Sequence, residues 1–312
     1  MGTMTVLSGG LQTTLQDLGR PGHARLGVSA AGAADALALR IANRLAGNLD
    51  GAAGLEMTIL GGSFRFDSAA HLAVAGADMR GAIGEREAPA FATFSVAAGQ
   101  TLRFGPAESG ARTYLAVRGG FEASLVLGSA STHLPSRMGG LEGRPLRQGD
   151  RLGYVETPAP PERRLAPLDR SPVARKQVLR VTDGAQAERF SAAGREILYR
   201  SMYTVSGDSN RMGLRLLGPA VPAPLLGRMP TEGMPLGAVQ VPPGGQPVIL
   251  FVDHQTTGGY PVIASVISAD LFQVGQLRPR DLVGFERVPI DTARRLLVEQ
   301  ETWLQAALPA VS

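Results

Sequence analysis

The residues best equipped for chemistry lie close together near the C-terminal third of the chain. Asp253-His254-Gln255-Thr256-Thr257 places a carboxylate, an imidazole, an amide and two hydroxyls in sequence, and Gly258-Gly259-Tyr260-Pro261 follows. Carboxylates and imidazoles move protons. Amides and hydroxyls hold a carbonyl or a developing oxyanion. Glycines reach positive φ and leave main-chain N–H groups open to a ligand. The same composition also suits an Asx-type turn whose polar groups satisfy one another, and the loop by itself does not choose between the two. Asp253 beside His254 is a candidate acid–base pair. Neighbouring residues of an extended chain point to opposite faces, however, so His254 reads equally as a loop side chain with no part in proton transfer.

Two apolar runs hold this loop. Val248–Val252 and Val262–Ile267 are short, β-branched and bounded by Gly and Pro, which predicts two strands. The first does not alternate, as expected of a strand covered on both faces. Upstream stand Glu232-Gly233 and a segment, Gly237 to Pro247, that contains Gln240. A second polar, glycine-containing loop, Ser206 to Gly213, carries Asn210 and Arg211. A third group sits on a helical pattern from Ala36 to Ala46, with Asp35 as N-cap and Gly47-Asn48 as the stop. Arg40 and Asn43 are three apart on its polar side and can converge on one ligand, or form an ordinary solvated face.

Several chemistries lack their residues. There is no Cys, which removes disulfides, thiolate nucleophiles and Cys-bound zinc. The four histidines are scattered with no partner at ligand spacing, so no metal is expected. Neither a Gly-x-Ser-x-Gly elbow nor a Walker-type phosphate loop is present. The net charge of +4 comes from 31 basic against 27 acidic residues, dispersed rather than in a basic block among aromatics, which argues against nucleic-acid binding. No apolar run is long enough to span a membrane. No charged segment leads into an apolar core at the N-terminus, so a cytoplasmic location is expected.

A chain of 312 residues predicts two lobes. Residues 1–160 form the first, with a long loop insertion from Gly128 to Asp150; residues 173–312 form the second, ending in an amphipathic helix from Asp291 to Leu308 that should dock on its own lobe. The proline-rich stretch Thr157 to Pro172 is the expected linker. Strands are expected at Val6–Gln12, Thr58–Leu60, Ser63–Phe66, His71–Ala75, Phe91–Val96, Thr101–Phe104, Tyr114–Val117 and Tyr203–Val205, with a short helix at Ala185–Ala193. A weak repeat relates the lobes. Leu146–Tyr154 parallels Leu277–Phe285, and Glu56 precedes Leu60-Gly61 as Glu232 precedes Leu236-Gly237.

Gly27 to Asn48, Tyr114 to Asp150, Ser209 to Pro219 and Glu232 to Asp281 together resemble the family of the 5-oxoprolinase C-subunit, which is also called allophanate hydrolase subunit 2 or biotin-dependent carboxyltransferase. Gln255-Thr256-Thr257-Gly258-Gly259-Tyr260-Pro261 is the most specific segment; Gly128-Ser129 with Ser131-Thr132, and Arg211-Met212-Gly213, add to it. The resemblance implies a mainly β fold with a few helices, built as tandem cyclophilin-like β-barrel lobes. It implies a B-subunit homologue as partner, together with an A-subunit, in ATP-dependent opening of 5-oxo-L-proline to L-glutamate. Asp253 or Glu232 would then be the base. Arg40, Asn43, Asn210, Arg211, Gln240, Gln255, Thr256, Thr257, Gly258 and Gly259 would bind a small amide or lactam substrate. Two alternatives stay open: a carboxyltransferase subunit served by biotin on another protein, and a non-catalytic regulator that binds a kinase-inhibitor homologue of the B-subunit. The sequence departs from the family pattern at Ala31, Ala34, Asn210, Thr231 and Val262, where Ser, Met, Asp, Ser and Lys are usual.

Overall fold

The computed structural model describes residues 1–224 and 229–310. The chain is mainly β and divides into two units. The first comprises Met1–Arg20, Ala31–Ala174 and Thr302–Ser312, the second Pro21–Ala30 and Arg175–Glu301.

The first unit contains β1 (Gly2–Ser8), β2 (Gln12–Gln16), α1 (Ala36–Ala46), β3 (Gly54–Thr58), β4 (Ser63–Phe66), β5 (Ala70–Gly76), β6 (Ala82–Ile83), β7 (Arg86–Glu87), β8 (Ala92–Val96), β9 (Thr101–Arg103), β10 (Arg112–Val117) and β11 (Arg151–Tyr154). They form a six-stranded sheet ordered β11-β1-β4-β9-β6-β7 and a five-stranded sheet ordered β2-β3-β10-β5-β8. Alternate residues such as Met4, Val6, Leu55, Met57, Phe64, Phe66, Leu115 and Val117 make one continuous core, as the period of two requires. The expected first strand, Val6–Gln12, is in fact two. Gly9-Gly10 breaks it, and Gly10 sits at φ 63 where a Cβ would lie 2.3 Å from the Leu60 carbonyl oxygen. The expected strand at Thr58–Leu60 ends instead at Thr58, because Ile59 turns left-handed.

α1 matches its expected bounds. Asp35 accepts from Ala38 N at 2.8 Å, and Gly47 closes the helix in the left-handed region. Its buried face packs on β5 and β10. A buried network supports the cap: Tyr114 Oη accepts from Asp35 N (2.7 Å) and donates to Glu56 Oε2 (2.6 Å), which also accepts from Ala34 N (2.8 Å). Burial and the charge of Glu56 push the Tyr114 phenol well above its ordinary range, so it remains a donor to that carboxylate.

The second unit contains β12 (Val178–Asp183), α2 (Ala192–Arg200), β13 (Tyr203–Val205), β14 (Gly213–Leu217), β15 (Glu232–Gly233), β16 (Ala238–Gln240), β17 (Val248–Leu250), β18 (Thr257–Gly258), β19 (Val262–Val266), α3 (Leu271–Gln276), β20 (Leu282–Arg287) and α4 (Ile290–Ala307). Seven strands close a barrel ordered β12-β19-β16-β17-β14-β13-β20, sealed by parallel pairing of β20 with β12. Within the helix expected at Ala185–Ala193 a single 3-10 turn forms, Ala187–Arg189, and the α-helix begins later because Ser191 is its cap: its hydroxyl accepts from Gly194 N at 3.0 Å. In α4, Ala293, Leu296 and Leu297 pack with Ile267 and Ala269. Leu304 and Leu308 belong to the first unit, where their carbonyls accept from Arg44 Nη1. The terminal helix therefore does not dock on the second unit alone. Among the described residues, no helix is long and apolar enough to cross a membrane.

Candidate functional site

The loop after β17 is fixed by a buried ion pair. Phe251 N donates to Met212 O at 3.0 Å, and Asp253 N to Arg211 O at 2.8 Å. This extends the β14–β17 pairing by one step and brings the two polar loops together. The Arg211 guanidinium then meets the Asp253 carboxylate side on, Nε to Oδ2 at 2.8 Å and Nη2 to Oδ1 at 3.1 Å. Their exposures are 5% and 2%. Bidentate geometry of this kind is the strong form of the contact, and burial makes each partner dependent on the other. Ser29, in the Pro21–Ala30 segment of the same unit, adds a bond from its hydroxyl to the Val252 carbonyl at 3.1 Å.

Asp253 places both oxygens on Arg211 and anchors the loop, and the Arg211 guanidinium is engaged in the same bond. Asn210 is exposed, and its side-chain oxygen accepts from Met212 N at 2.8 Å, stapling the turn that delivers Arg211.

Beyond the clasp the loop runs into a two-stranded ribbon. β15 pairs antiparallel with β18, Glu232 opposite Gly258 and Gly233 opposite Thr257. Met234 N extends the pairing to the Thr256 carbonyl at 2.9 Å. The ribbon thus joins Glu232 to the Gln255–Gly259 segment, an association that sequence separation hides. Gln255, Thr257, Gly259 and Glu232 are exposed, and Thr256 is half-buried. Gln240 lies beneath them, 2% exposed, donating to the Tyr260 carbonyl at 3.3 Å. A Cβ on Gly258 would stand 2.9 Å from Gln240 Nε2 and 3.0 Å from Met234 Cγ. The glycine lets the ribbon lie close over that amide.

Gln186 is a candidate site residue that sequence reasoning missed. Its backbone N donates to Val262 O (3.1 Å) and its side-chain oxygen accepts from Val262 N (3.0 Å), which fixes the orientation of the amide. The opposite end, Nε2, is thereby aimed at Glu232 Oε2, 2.9 Å away. Nothing in its local sequence marks it; the signal is tertiary. His254 is half-buried, and its Nδ1 lies 2.6 Å from the Gln255 carbonyl oxygen. Burial lowers its pKa below the ordinary imidazole range, although the Gln255 bond and the Asp253 charge oppose this.

Arg40 and Asn43, expected on one ligand, bond to the chain itself. Asn43 is fully buried and donates to the carbonyls of Asp50 (3.2 Å) and Ala52 (2.8 Å) while accepting from Asn48. Arg40 and Arg44 both bind the Asp50 carboxylate, at 2.8 and 2.6 Å. The polar face of α1 is a clasp for its own C-terminal turn.

The chain matches the family described as carboxyltransferase domain, subdomain A and B, over residues 26–287. It belongs to that family. It is 36% identical to a Haemophilus influenzae protein named as the C-subunit of 5-oxoprolinase, over 94% of each chain. It is 35% identical to the Escherichia coli protein of the same name, over 97% of this chain and 96% of that one. The solved urea carboxylase of Kluyveromyces lactis superposes with a TM-score of 0.90 at 29% identity, covering 99% of this chain but only 30% of that enzyme. Another solved relative, with a TM-score of 0.83 and 36% identity, is matched over 92% of this chain and 55% of its own length.

Proposed function

We propose that this protein is the C-subunit of a 5-oxoprolinase, working with B-subunit and A-subunit homologues to open a small lactam, 5-oxo-L-proline, to L-glutamate with consumption of ATP. What supports the reading over a urea-directed carboxyltransferase is the near end-to-end likeness to two proteins that carry the 5-oxoprolinase name, against partial coverage of the much longer urea carboxylase. The observation at the site that supports it is the Glu232 carboxylate, exposed on the ribbon and held at one oxygen by Gln186.

In this reading Glu232 is the general base. Its other oxygen takes a proton from the water that attacks the lactam carbonyl and returns it to the ring nitrogen as the C–N bond breaks, which leaves the amine and the new carboxylate of the product, while Gln186 keeps the carboxylate in one orientation. The hydroxyl of Thr256, on the face of the ribbon that Glu232 shares, and the main-chain N–H of Gly259 bind the lactam and the negative charge that develops on its oxygen. The buried Gln240 amide supports the ribbon from below. The Arg211–Asp253 clasp fixes where the loop leaves the barrel.

The donor set of the loop does not fit a nucleotide triphosphate, because its guanidinium is bound to Asp253 and its remaining groups are a carboxylate, amides and hydroxyls. ATP is assigned to the partner subunits, and no step on this chain runs through it. In the carboxyltransferase alternative, biotin arrives on another protein. The test is reconstitution of this chain with its B-subunit and A-subunit homologues. Glutamate should form from 5-oxoproline only when all three are present with ATP. Turnover without this chain, or turnover of urea with biotinylated carrier and none of 5-oxoproline, would overturn the reading.

A further inference from the structure

Beside the candidate base, within the second unit, stands a cation. Arg189 closes the 3-10 turn Ala187–Arg189, which follows directly on Gln186. Side chains three apart eclipse one another in such a turn, so Arg189 lies on the side from which Gln186 reaches Glu232. The segment opposite is met twice. Gln186 Nε2 donates to Glu232 Oε2 at 2.9 Å, and Arg189 Nη1 lies 3.6 Å from Met229 Sδ. The turn and residues 229–232 therefore run antiparallel, with a carboxylate at one end and a guanidinium at the other. Met229 also borders Gly259. Its carbonyl oxygen is the nearest atom, beyond the chain neighbours, to a Cβ built on Gly259, at 4.0 Å, so the space over that main chain is open.

Arg189 is exposed and forms no ion pair among the described residues. The Met229 thioether is a weak acceptor and does not neutralise it. Glu188 stands a third of a turn away around the 3-10 axis and is not its partner. Arg195 brings a second guanidinium to the same turn, with Nη1 donating to the Ala187 carbonyl at 3.4 Å, and it too has no ion pair among the described residues. Two cations without acidic partners thus flank the turn that orients Glu232.

We propose that Arg189 binds the carboxylate of the substrate and so selects an acidic lactam over a neutral amide; this rests on the reaction assigned above. 5-Oxoproline carries its carboxylate three bonds from the lactam carbonyl carbon, at most ~3.8 Å, the spacing of consecutive Cα atoms, which are also three bonds apart. Hydrogen bonds at either end and the attacking water between bring the span from the Glu232 oxygen to the guanidinium to about 10 Å. Three residues of extended chain cover the same length, about 10 Å, and three residues separate Met229 from Glu232. Urea and other neutral amides offer no carboxylate, so this one contact separates the two substrate classes.

The test uses the reconstituted complex of this chain with its B-subunit and A-subunit homologues, carrying Arg189→Gln or Arg189→Lys. Steady-state kinetics are measured with 5-oxo-L-proline and with its carboxamide, the same lactam without the charge. Arg189→Gln should raise KM for the acid about tenfold, the loss of one charge-assisted hydrogen bond. Its kcat should change little, because the contact is made equally in the ground and transition states. Arg189→Lys keeps the charge but loses the planar fork, and should give a smaller rise. KM for the carboxamide and for ATP should stay at wild-type values. Should Arg189→Gln melt early, Arg189→Lys decides by the same comparison of acid with carboxamide. An unchanged KM for the acid would overturn the proposal. So would an equal rise for acid and carboxamide, or a rise in KM for ATP, which would make the bound anion a phosphate. A wild-type complex that fails to turn over 5-oxoproline would instead overturn the reaction assigned above, and the proposal with it.

Discussion

Replacing Arg211 by Ala is the sharpest perturbation of the candidate site. The variant leaves the Asp253 carboxylate, only 2% exposed, with its bidentate partner gone. Removing one member of a buried pair costs about 3–5 kcal/mol, chiefly the penalty of an uncompensated buried charge. At about 2–4 °C of Tm per kcal/mol for a domain of this size, the second unit should melt roughly 6–20 °C lower. The isosteric double variant Arg211→Met, Asp253→Leu removes both charges, and its stability should lie within about 1 kcal/mol of wild type or above it. Thermal and urea unfolding of the two variants, followed by far-UV dichroism, measures the difference. Both variants should lose activity, because neither fixes the loop by its directional bonds. A single variant as stable as wild type would refute the assignment of the pair as a buried clasp.

Two further outcomes follow from the first unit. Gly140→Ala should destabilise by about 2–5 kcal/mol, the sum of a left-handed residue and an overpacked site, since its Cβ would fall 1.9 Å from Thr132 Oγ1 at φ 54; a melt within about 2 °C of wild type, less than 1 kcal/mol, would contradict the packing described. Asp50 supplies an acid dependence. Burial pushes its pKa up, but hydrogen bonds from Arg44 and Arg40 and their charges outweigh this and hold it below the ordinary carboxylate value. Its folded pKa is depressed, so its contribution is complete above the unfolded value of about 3.9 and is lost as pH falls through the folded one. Asp50→Asn should therefore melt lower than wild type at pH 6, and the two curves should converge towards pH 2; a gap that stays constant would mean the carboxylate charge is not what matters.

How much of the molecule is legible in the chain depends on the range of the signal. α1 is legible with both caps because Asp35, the apolar spacing and Gly47 are local. The glycine-bounded apolar runs likewise place β17 and β19 nearly where they lie. The first strand is misplaced because an apolar–polar pattern continues through Gly9-Gly10, where the backbone turns. The repeat sets Glu56 and Glu232 in parallel, yet Glu56 is buried under Tyr114 while Glu232 stands exposed on a ribbon; sequence equivalence says nothing of burial. Asp253 reads as a free acid because its partner is 42 residues away. The Gln186–Glu232 bond spans 46 residues and leaves no local trace.

The most direct measurement of the central claim is glutamate release from 5-oxoproline by the reconstituted complex carrying Glu232→Gln. The substitution keeps size and hydrogen-bonding capacity but removes the base, so kcat should fall by about 10²–10⁴. Assembly with the partner subunits and the melting temperature of this chain should be unchanged, because the side chain is exposed. Wild-type turnover by the Glu232→Gln complex would contradict the account, leaving the ribbon as a structural feature and the proton transfer to be sought elsewhere.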